Sequence, residues 1–413
     1  MHVFELLFFF FFFFKIELCI KSKIMSSDEN EQNEIDCNTC TATELSQLFD
    51  ESLRISSEEA ISLQQNYVLY LDNSRDFGKI AAGTSSKTVH IFDLNSSKGF
   101  SQLQKCDIGL STDNQTICDI RFGKNSLNTL FVGVTNGKIY TYDLRAKPMP
   151  VQTFENTDAQ QKPFMCFDVS ANDSVLGVGS EQYEGEVNLI LFDVRTTSTQ
   201  AIYSESHRDD LTQIRFHPNN PDILASGSTD GLVNVFDISE NDEDDALQSC
   251  YNTESSVQTI NWHPKHDDYL LSCITHTNDF QLLDGDDTDV GFRCERQEIT
   301  KLIKRKSAED CYLINSHSTL NGDIFLLAGS NFNAGECLRS LTVHKKSLKP
   351  RNNFIDNKQI IRCSIFNQKD QVLVTAGEGG IVTVWENSPS SNNDIHKEKR
   401  KIKTKNSRKS KPY

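Results

Sequence analysis

The residues of this chain whose types and spacing could do chemistry are a histidine and an aspartate, His207 and Asp230. An aspartate that holds an imidazole in one tautomer turns it into a general base, as in hydrolytic triads. A second motif, His263-Pro264 with His266 nearby, carries imidazoles that could bind a metal ion. Whether either group acts on a substrate depends on the elements that position it.

Other chemical motifs in the chain are incomplete. Cys37 and Cys40 form a lone CxxC pair, whereas a zinc site needs a second pair of ligands at suitable spacing. Gly177 and Gly179 begin like a dinucleotide fingerprint, but Gln182 stands where the third glycine belongs. The sequence contains no HExxH, GxSxG or P-loop motif. It therefore predicts no metal, no cofactor and no enzymatic activity.

The elements around His207 and Asp230 are predicted to be three short β-strands. Alternating apolar residues fill positions 211–216, 223–228 and 232–236, the period-two pattern of a strand. His217-Pro218 ends the first run because proline has no N–H to donate. Asp230-Gly231 is a favoured hairpin turn, and the unit closes on the aromatic-acid pair Phe236-Asp237.

The closing pair recurs along the chain, which indicates that the three-strand unit is a repeat. Copies end at Phe92-Asp93, Tyr142-Asp143, Phe192-Asp193, Phe236-Asp237, the worn Leu283-Asp284 and Trp385-Glu386. Two apolar runs around a glycine-rich turn in residues 323–344 fit one further, diverged copy. Residues 67–72 predict another strand, which belongs either to the first unit or to the last.

The unit at residues 207–237 resembles a WD repeat, the blade of a β-propeller. In that family four side chains lock each blade through hydrogen bonds. Their counterparts here are His207, Ser226, Asp230 and Phe236. Phe236 departs from the family's tryptophan and has no indole N–H, a loss of roughly 1 kcal/mol. The resemblance implies that His207 and Asp230 lock the fold and do not form a catalytic pair.

The resemblance also implies the architecture, an all-β, seven-bladed WD-repeat β-propeller over residues 63–390. A narrower resemblance, to one family member without established enzymatic activity, covers most of residues 65–390. Residues 1–24 form a phenylalanine-rich extension whose apolar run is too short to span a bilayer, and Met25 is the expected working start. Residues 25–62 hold ten acidic residues against one basic residue, Arg54, and predict an acidic, largely disordered leader.

Residues 391–413 predict a basic, disordered tail, in contrast to the net charge of −16 for the chain. The residues expected to direct nuclear targeting are Lys399, Arg400, Lys401, Lys403, Arg408 and Lys409. Two alternatives stay open: a solvated tail that only aids solubility, and a weak contact with nucleic acid. We expect a nuclear or nucleocytoplasmic location and no membrane association.

Two groups of charged residues predict contacts with partner proteins. Aromatic-Asp-x-Arg occurs after the third strand of two units, with Asp143, Arg145, Asp193 and Arg195. It resembles the box by which some WD-repeat proteins dock on the adaptor of cullin-RING ubiquitin ligases. Two later loops are acidic and could attract a basic protein: Glu240, Asp242, Glu243, Asp244 and Asp245, then Asp284, Asp286, Asp287 and Asp289. Local pairing of the arginines and plain solvation of the acids are the alternatives.

The sequence as a whole favours a non-enzymatic, nuclear scaffold that gathers other proteins of unknown identity. The alternative is a substrate receptor of a cullin-RING ubiquitin ligase, which docks through its aromatic-Asp-x-Arg boxes. A weaker alternative is an RNA-associated factor that uses the basic tail.

Overall fold

In the part of the chain that the structure describes, the regular structure is almost entirely β. The computed structural model describes residues 36–49, 51–61, 66–95, 99–107, 115–147, 149–155, 162–240, 242–265, 268–283 and 290–387. Within these residues lie helices α1 (Ala42–Leu48), α2 (Glu243–Ala246) and α3 (Arg296–Leu302), a 3-10 turn at Phe332–Gly335, and the first strand, β1 (Glu51–Ala60). No helix in this described part is long and apolar enough to cross a membrane.

Most of the described strands form five antiparallel sheets of four strands, each sheet following the chain order. The first sheet has β2 (Val68–Asn73), β3 (Lys79–Thr84), β4 (Thr88–Asn95) and β5 (Gly99–Asp107). The second has β6 (Ile117–Phe122), β7 (Thr129–Val134), β8 (Lys138–Asp143) and β9 (Gln152–Glu155). The third has β10 (Phe164–Val169), β11 (Val175–Ser180), β12 (Leu189–Asp193) and β13 (Thr199–Tyr203). The fourth has β14 (Leu211–Phe216), β15 (Ile223–Ser228), β16 (Leu232–Asp237) and β17 (Leu247–Asn252). The fifth has β18 (Val257–Lys265), β19 (Asp268–Thr275), β20 (Phe280–Leu283) and β21 (Val290–Cys294).

The remaining strands form one eight-stranded sheet. Its first half is β22 (Cys311–Ser318), β23 (Ile324–Ser330), β24 (Leu338–His344) and β25 (Ser347–Phe354). Its second half is β26 (Ile361–Asn367), β27 (Val372–Gly377) and β28 (Ile381–Asn387), followed by β1. Strand β1 lies antiparallel to β28 and, at residues 51–53, parallel to β25. It therefore joins the two halves into a single sheet.

The sheets follow one another around a closed ring. The first strand of each four-strand unit contacts the first strand of the next, from β2 through β6, β10, β14, β18, β22 and β26 back to β2. Apolar side chains fill the spaces between neighbouring sheets. One such cluster joins Phe131 and Phe154 of the second sheet to Phe167 and Phe192 of the third. A single sheet has two apolar faces, and this arrangement buries both of them, which is the logic of a propeller.

Within the predicted leader, residues 25–62, the described residues 36–49 and 51–61 contain regular structure, contrary to the expectation of a largely disordered segment. In the described part, Thr41 and Glu44 form a capping box at the start of α1, and β1 follows at once. Leu53 of β1 is buried in a cluster with Trp385, and burial of this kind compensates for the polar composition of the segment. Residues 67–72, whose place was open, overlap β2 of the first sheet, while β1 is the strand that completes the last unit.

Candidate functional site

His207 and Asp230 lie in a buried chain of hydrogen bonds within the fourth sheet. His207 Nδ1 is 3.1 Å from Asp230 Oδ2, and His207 Nε2 is 2.7 Å from Ser226 Oγ. A carboxylate can only accept, so Nδ1 donates to Asp230 and Nε2 accepts from Ser226. Burial raises the pKa of Asp230, but hydrogen bonds from His207, Arg208 and Leu232 outweigh it and hold that pKa below its usual value. Both imidazole nitrogens are occupied, which leaves no free base for catalysis.

The fourth position of this lock, Phe236, packs in the core and has no indole N–H with which to extend the hydrogen-bond chain. Phe236 is fully buried and packs on Tyr203, with ring centroids 5.4 Å apart. Asn234, two residues earlier, joins the lock instead, because its Nδ2 lies 3.2 Å from His207 Nε2 and donates to Ser206 O at 2.8 Å. Sequence reasoning missed Asn234 because the family pattern directs attention to the aromatic position.

The last unit of the chain keeps the tryptophan that the fourth sheet lacks. Trp385 is fully buried, and its Nε1–H donates to Thr375 Oγ1 at 2.8 Å. Thr375 and Trp385 lie on neighbouring strands, β27 and β28. The pair shows the hydrogen bond that Phe236 cannot make.

His263, the candidate metal ligand, is held by serine hydroxyls. Its Nδ1 is 2.6 Å from Ser318 Oγ, and its Nε2 is 2.8 Å from Ser272 Oγ and 3.2 Å from Ser316 Oγ. Hydroxyl groups rotate to donate or accept, so this shell suits a neutral imidazole. Among the described residues no group of three His, Cys, Asp or Glu side chains could hold a metal ion. His266 lies outside the described residues, and Cys37 and Cys40 are free thiols.

The burial of His263 predicts an acid-sensitive fold. Burial lowers the pKa of this imidazole to about 3, whereas an unfolded histidine titrates near 6.5. Between these values only the unfolded chain binds the proton, so stability falls as pH falls, by up to about 1.4 kcal/mol per pH unit. Urea denaturation at pH 7 and pH 5 should show a smaller loss for His263→Gln than for the wild type. The exposed His344→Gln is the control, and equal losses in all three chains would contradict the assignment.

Charged side chains on the first strands of neighbouring sheets were not anticipated from the sequence. Arg121 of β6 lies 2.7 Å from Asp119 and 3.6 Å from Asp168 of β10, and all three are buried. Asp72 accepts from the Phe122 N–H at 2.6 Å. The Arg121–Asp119 pair lies within β6, whereas the contacts with Asp168 of β10 and Asp72 of β2 join one sheet to the next. They are structural, since every charge in the group faces another or a backbone amide.

The two aromatic-Asp-x-Arg boxes differ in how their arginines are held. Arg145 forks back onto Asp143, with Nε–Oδ1 3.0 Å and Nη2–Oδ2 2.8 Å, and these hydrogen bonds lower the pKa of Asp143 to about 2. Asp193 instead accepts from the backbone and hydroxyl of Thr196, at 2.7 and 2.9 Å. Arg195 is exposed, and no ion pair to it occurs within the described residues. One guanidinium is therefore engaged locally and the other is open.

The structure places these two boxes in neighbouring turns. Gln152, which follows the turn of Arg145, donates from Nε2 to Val194 O at 3.3 Å, immediately before Arg195. Two large apolar side chains of the Arg145 turn are exposed, Met149 at 67% and Val151 at 63%. We call Arg145, Met149, Val151 and Arg195 the docking patch. Arginine and methionine are enriched at protein interfaces relative to other surfaces.

The acidic residues after the fourth sheet have unequal roles. Glu243 accepts from the backbone N–H groups of Ser204, Glu205 and Ser206, at 2.8, 3.0 and 2.8 Å, and so holds a neighbouring loop. Asp242 caps α2. Exposed carboxylates free for a basic partner are those of Glu240, Asp244 and Asp245. The second acidic group, Asp284, Asp286, Asp287 and Asp289, and the basic tail with Lys399, Arg400, Lys401, Lys403, Arg408 and Lys409 lie outside the described residues.

The ring of sheets and the His–Ser–Asp lock define a WD-repeat β-propeller. Residues 198–237 match the family model "WD domain, G-beta repeat". The narrower sequence resemblance is to WD repeat-containing protein 89, and relatives confirm it. The chain is 26% identical over 375 residues to "WD repeat-containing protein 89 homolog" of Dictyostelium discoideum, covering 87% of this chain and 95% of that protein.

Two further similarities agree with this class. An uncharacterized WD repeat-containing protein of Saccharomyces cerevisiae is 24% identical over 332 residues, which cover 78% of this chain and 79% of that protein. A chain of the structure described as "Crystal Structure of Mitotic Checkpoint Complex" superposes with a TM-score of 0.61 at 15% identity, covering 81% of this chain and 96% of that one. At that identity the superposition shows the fold alone.

Proposed function

We propose that the chain is a non-enzymatic scaffold that binds other proteins on a seven-bladed propeller. The count of seven treats the eight-stranded sheet as two blades, β22–β25 and β26–β28 with β1, in addition to the five four-stranded sheets. Its first strands continue the ring, since β18 contacts β22, β22 contacts β26, and β26 contacts β2. A rigid ring of this kind presents its turns in fixed positions, as a scaffold requires.

The observation that carries this proposal is the docking patch. Arg195 is exposed and Arg145, Met149 and Val151 lie in the adjoining turn, so charge and apolar surface occur side by side. A partner with an acidic, partly apolar surface matches this composition. The hydrogen bonds of His207 and His263 support a non-enzymatic function, because each imidazole uses both ring nitrogens in structural hydrogen bonds.

The alternative function, a substrate receptor of a cullin-RING ubiquitin ligase, uses the same patch. Two aromatic-Asp-x-Arg boxes in neighbouring turns favour it, because the adaptor would contact both at once. The geometry favours Arg195 as the first contact with the adaptor, because its guanidinium is exposed, whereas Arg145 must first break its hydrogen bonds with Asp143. The nuclear location and a weak contact of the basic tail with RNA remain proposals, resting on sequence outside the described residues.

Affinity purification of the tagged full chain tests both functions. We expect Arg195→Glu with Met149→Asp to reduce the recovery of the main partners at least tenfold, because a reversed charge and a buried carboxylate oppose docking. Cullin and adaptor peptides among the lost partners would establish the receptor. If the lost partners include no cullin or adaptor peptides, the result would support the scaffold function.

The matched control carries the same kinds of change elsewhere. Leu320 is 66% exposed, close to the 67% of Met149, and Lys369 is an exposed base. Leu320→Asp with Lys369→Glu should retain every partner. A docking-patch variant that retains its partners as well as this control does would contradict the proposed function.

A further inference from the structure

Asp36, near the start of the described chain, is a buried aspartate whose carboxylate is surrounded by hydrogen-bond donors from the ring. We call residues 36–49 the N-terminal strap. Asp36 Oδ2 accepts from Arg305 Nε at 2.7 Å and from Ser330 Oγ at 2.5 Å. Asp36 Oδ1 accepts from the backbone N–H groups of Lys306 and Ser307, at 3.0 and 2.9 Å. Four groups from two separate segments of the ring thus donate to one carboxylate, which is 1% exposed as a residue.

The strap makes a second polar contact two residues later. Asn38 Oδ1 accepts from Arg305 Nη1 at 3.1 Å and from Arg339 Nη2 at 2.9 Å. The Thr39 N–H donates to Lys304 O at 3.0 Å, so the strap backbone is also bound. The guanidinium of Arg305 therefore contacts both Asp36 and Asn38, and that of Arg339 contacts Asn38. The sequence recognised is Asp-x-Asn.

The far end of the strap is held by apolar packing. Phe49 is 2% exposed, and the Arg339 guanidinium lies 5.3 Å from its ring centroid. Within α1, Leu45 is the one buried side chain, and the capping box of Thr41 and Glu44 is internal to the helix. The strap thus touches the ring through a polar end and two apolar side chains, whereas β1 pairs along its length.

The pocket beneath the strap requires an anionic occupant. Arg305 and Arg339 are 8% and 4% exposed, and Asn38 bridges them. Burial, and then the neighbouring Arg305, lower the pKa of Arg339. Without the strap these two cations would face each other without the carboxylate that now balances them. Removing one partner of a buried ion pair destabilises the fold because it leaves a buried charge unpaired. The pocket therefore favours an occupant that bears a carboxylate.

We infer that the pocket formed by Arg305, Arg339, Ser330 and the Lys306–Ser307 amides is a peptide-binding site that the strap fills in cis. The partner that fits is an acidic segment of another protein with an Asp-x-Asn spacing and an aromatic residue further along. Such a segment would displace the strap by reproducing its contacts. This site is separate from the docking patch, so its failure would leave the proposed function untouched.

Peptide binding to the full chain tests the inference. The probe is a fluorescent synthetic peptide of residues 36–49, followed by anisotropy. In Asp36→Ala the tethered aspartate is lost, and we expect this chain to bind the peptide at least tenfold more tightly than the wild type does. Adding Arg305→Ala to that variant, or replacing the aspartate of the peptide by alanine, should abolish binding. Equal affinity of the wild type and Asp36→Ala would overturn the inference.

A second measurement guards against loss of folding in Asp36→Ala. In the wild-type chain, a strap that exchanges with a partner must detach while the ring stays closed. Amide hydrogens of residues 36–49 should therefore exchange at least tenfold faster than those of residues 51–60. Equal protection of the two segments would show that the strap is a permanent part of the fold and would overturn the inference independently of any variant.

Discussion

Deletion of residues 1–60 is expected to destabilise the entire ring, lowering Tm by about 10 °C or more. Strand β1 pairs antiparallel with β28 from Leu53 opposite Asn387 to Ala60 opposite Ile381. Its loss unpairs that edge and leaves Trp385 without Leu53. A buried leucine contributes about 1.5–3 kcal/mol, and each ladder hydrogen bond roughly 0.5–1.5 kcal/mol. Together these are a large part of the total stability of a domain, about 5–15 kcal/mol.

Thermal melting followed by circular dichroism measures this effect. The point variant Leu53→Asp places a charge in the same cluster and should also lower Tm, though by less than the deletion. Deletion of residues 391–413 is the control, because it removes none of the described contacts. If the chain lacking residues 1–60 melts within about 2 °C of the full chain, β1 does not close the ring.

Replacement of Gly377 by alanine is expected to destabilise the fold strongly through one added methyl group. A Cβ at this position would overlap Ile360 O and lie 2.9 Å from Ile361 Cα. These are backbone atoms, and the same carbonyl accepts from the Glu378 N–H at 3.0 Å. The strand must shift and this hydrogen bond must break, so we expect Gly377→Ala to cost about 3 kcal/mol or more.

Gly83→Ala is the matched control for this substitution. Gly83 occupies a similar place near the end of the second strand of the first sheet, but the atoms nearest to a methyl group added there would lie at 3.4 Å. Urea denaturation should therefore separate the two variants by at least about 2 kcal/mol. Similar midpoints for Gly377→Ala and Gly83→Ala would contradict the close approach of residues 360 and 377.

The best-preserved unit of the chain was predictable because its signals are local. The alternating runs after His207 coincide with β14, β15 and β16, and Gly231 adopts the positive φ, +87°, that the turn requires. Residues 323–344, predicted as a diverged copy, contain β23 and β24. Turn chemistry and strand period act over a few residues, so a sequence reveals them without knowledge of the fold.

Strand β1 was missed because its signal is not local. Its acidic residues favour a disordered segment, and only Leu53 and Ile55 hint at alternation. The partner that orders it, β28, lies more than 300 residues further along the chain. Long-range pairing of this kind overrides local composition.

The sequence predicted which residue types lie in the candidate site, but it did not predict which of their side chains are free to contact a partner protein. The sequence identified Arg145 and Glu243 as surface charges, but the fold turns Arg145 back onto Asp143 and engages Glu243 with a neighbouring loop. Asn234 contacts His207 of the blade lock, although the family pattern assigns no role to its position. The state of a side chain depends on the loop that meets it, and residue spacing alone does not encode that contact.

Hydrogen–deuterium exchange at residues 51–60 of the full chain is the most direct test of the central claim, that β1 closes the propeller ring. Amides of this segment paired with β28 should exchange as slowly as those of β28 itself, because both edges of the ladder open together. Exchange of residues 51–60 at the rate of an unstructured peptide, with β28 still protected, would contradict the closure and the proposed seven-bladed scaffold built on it.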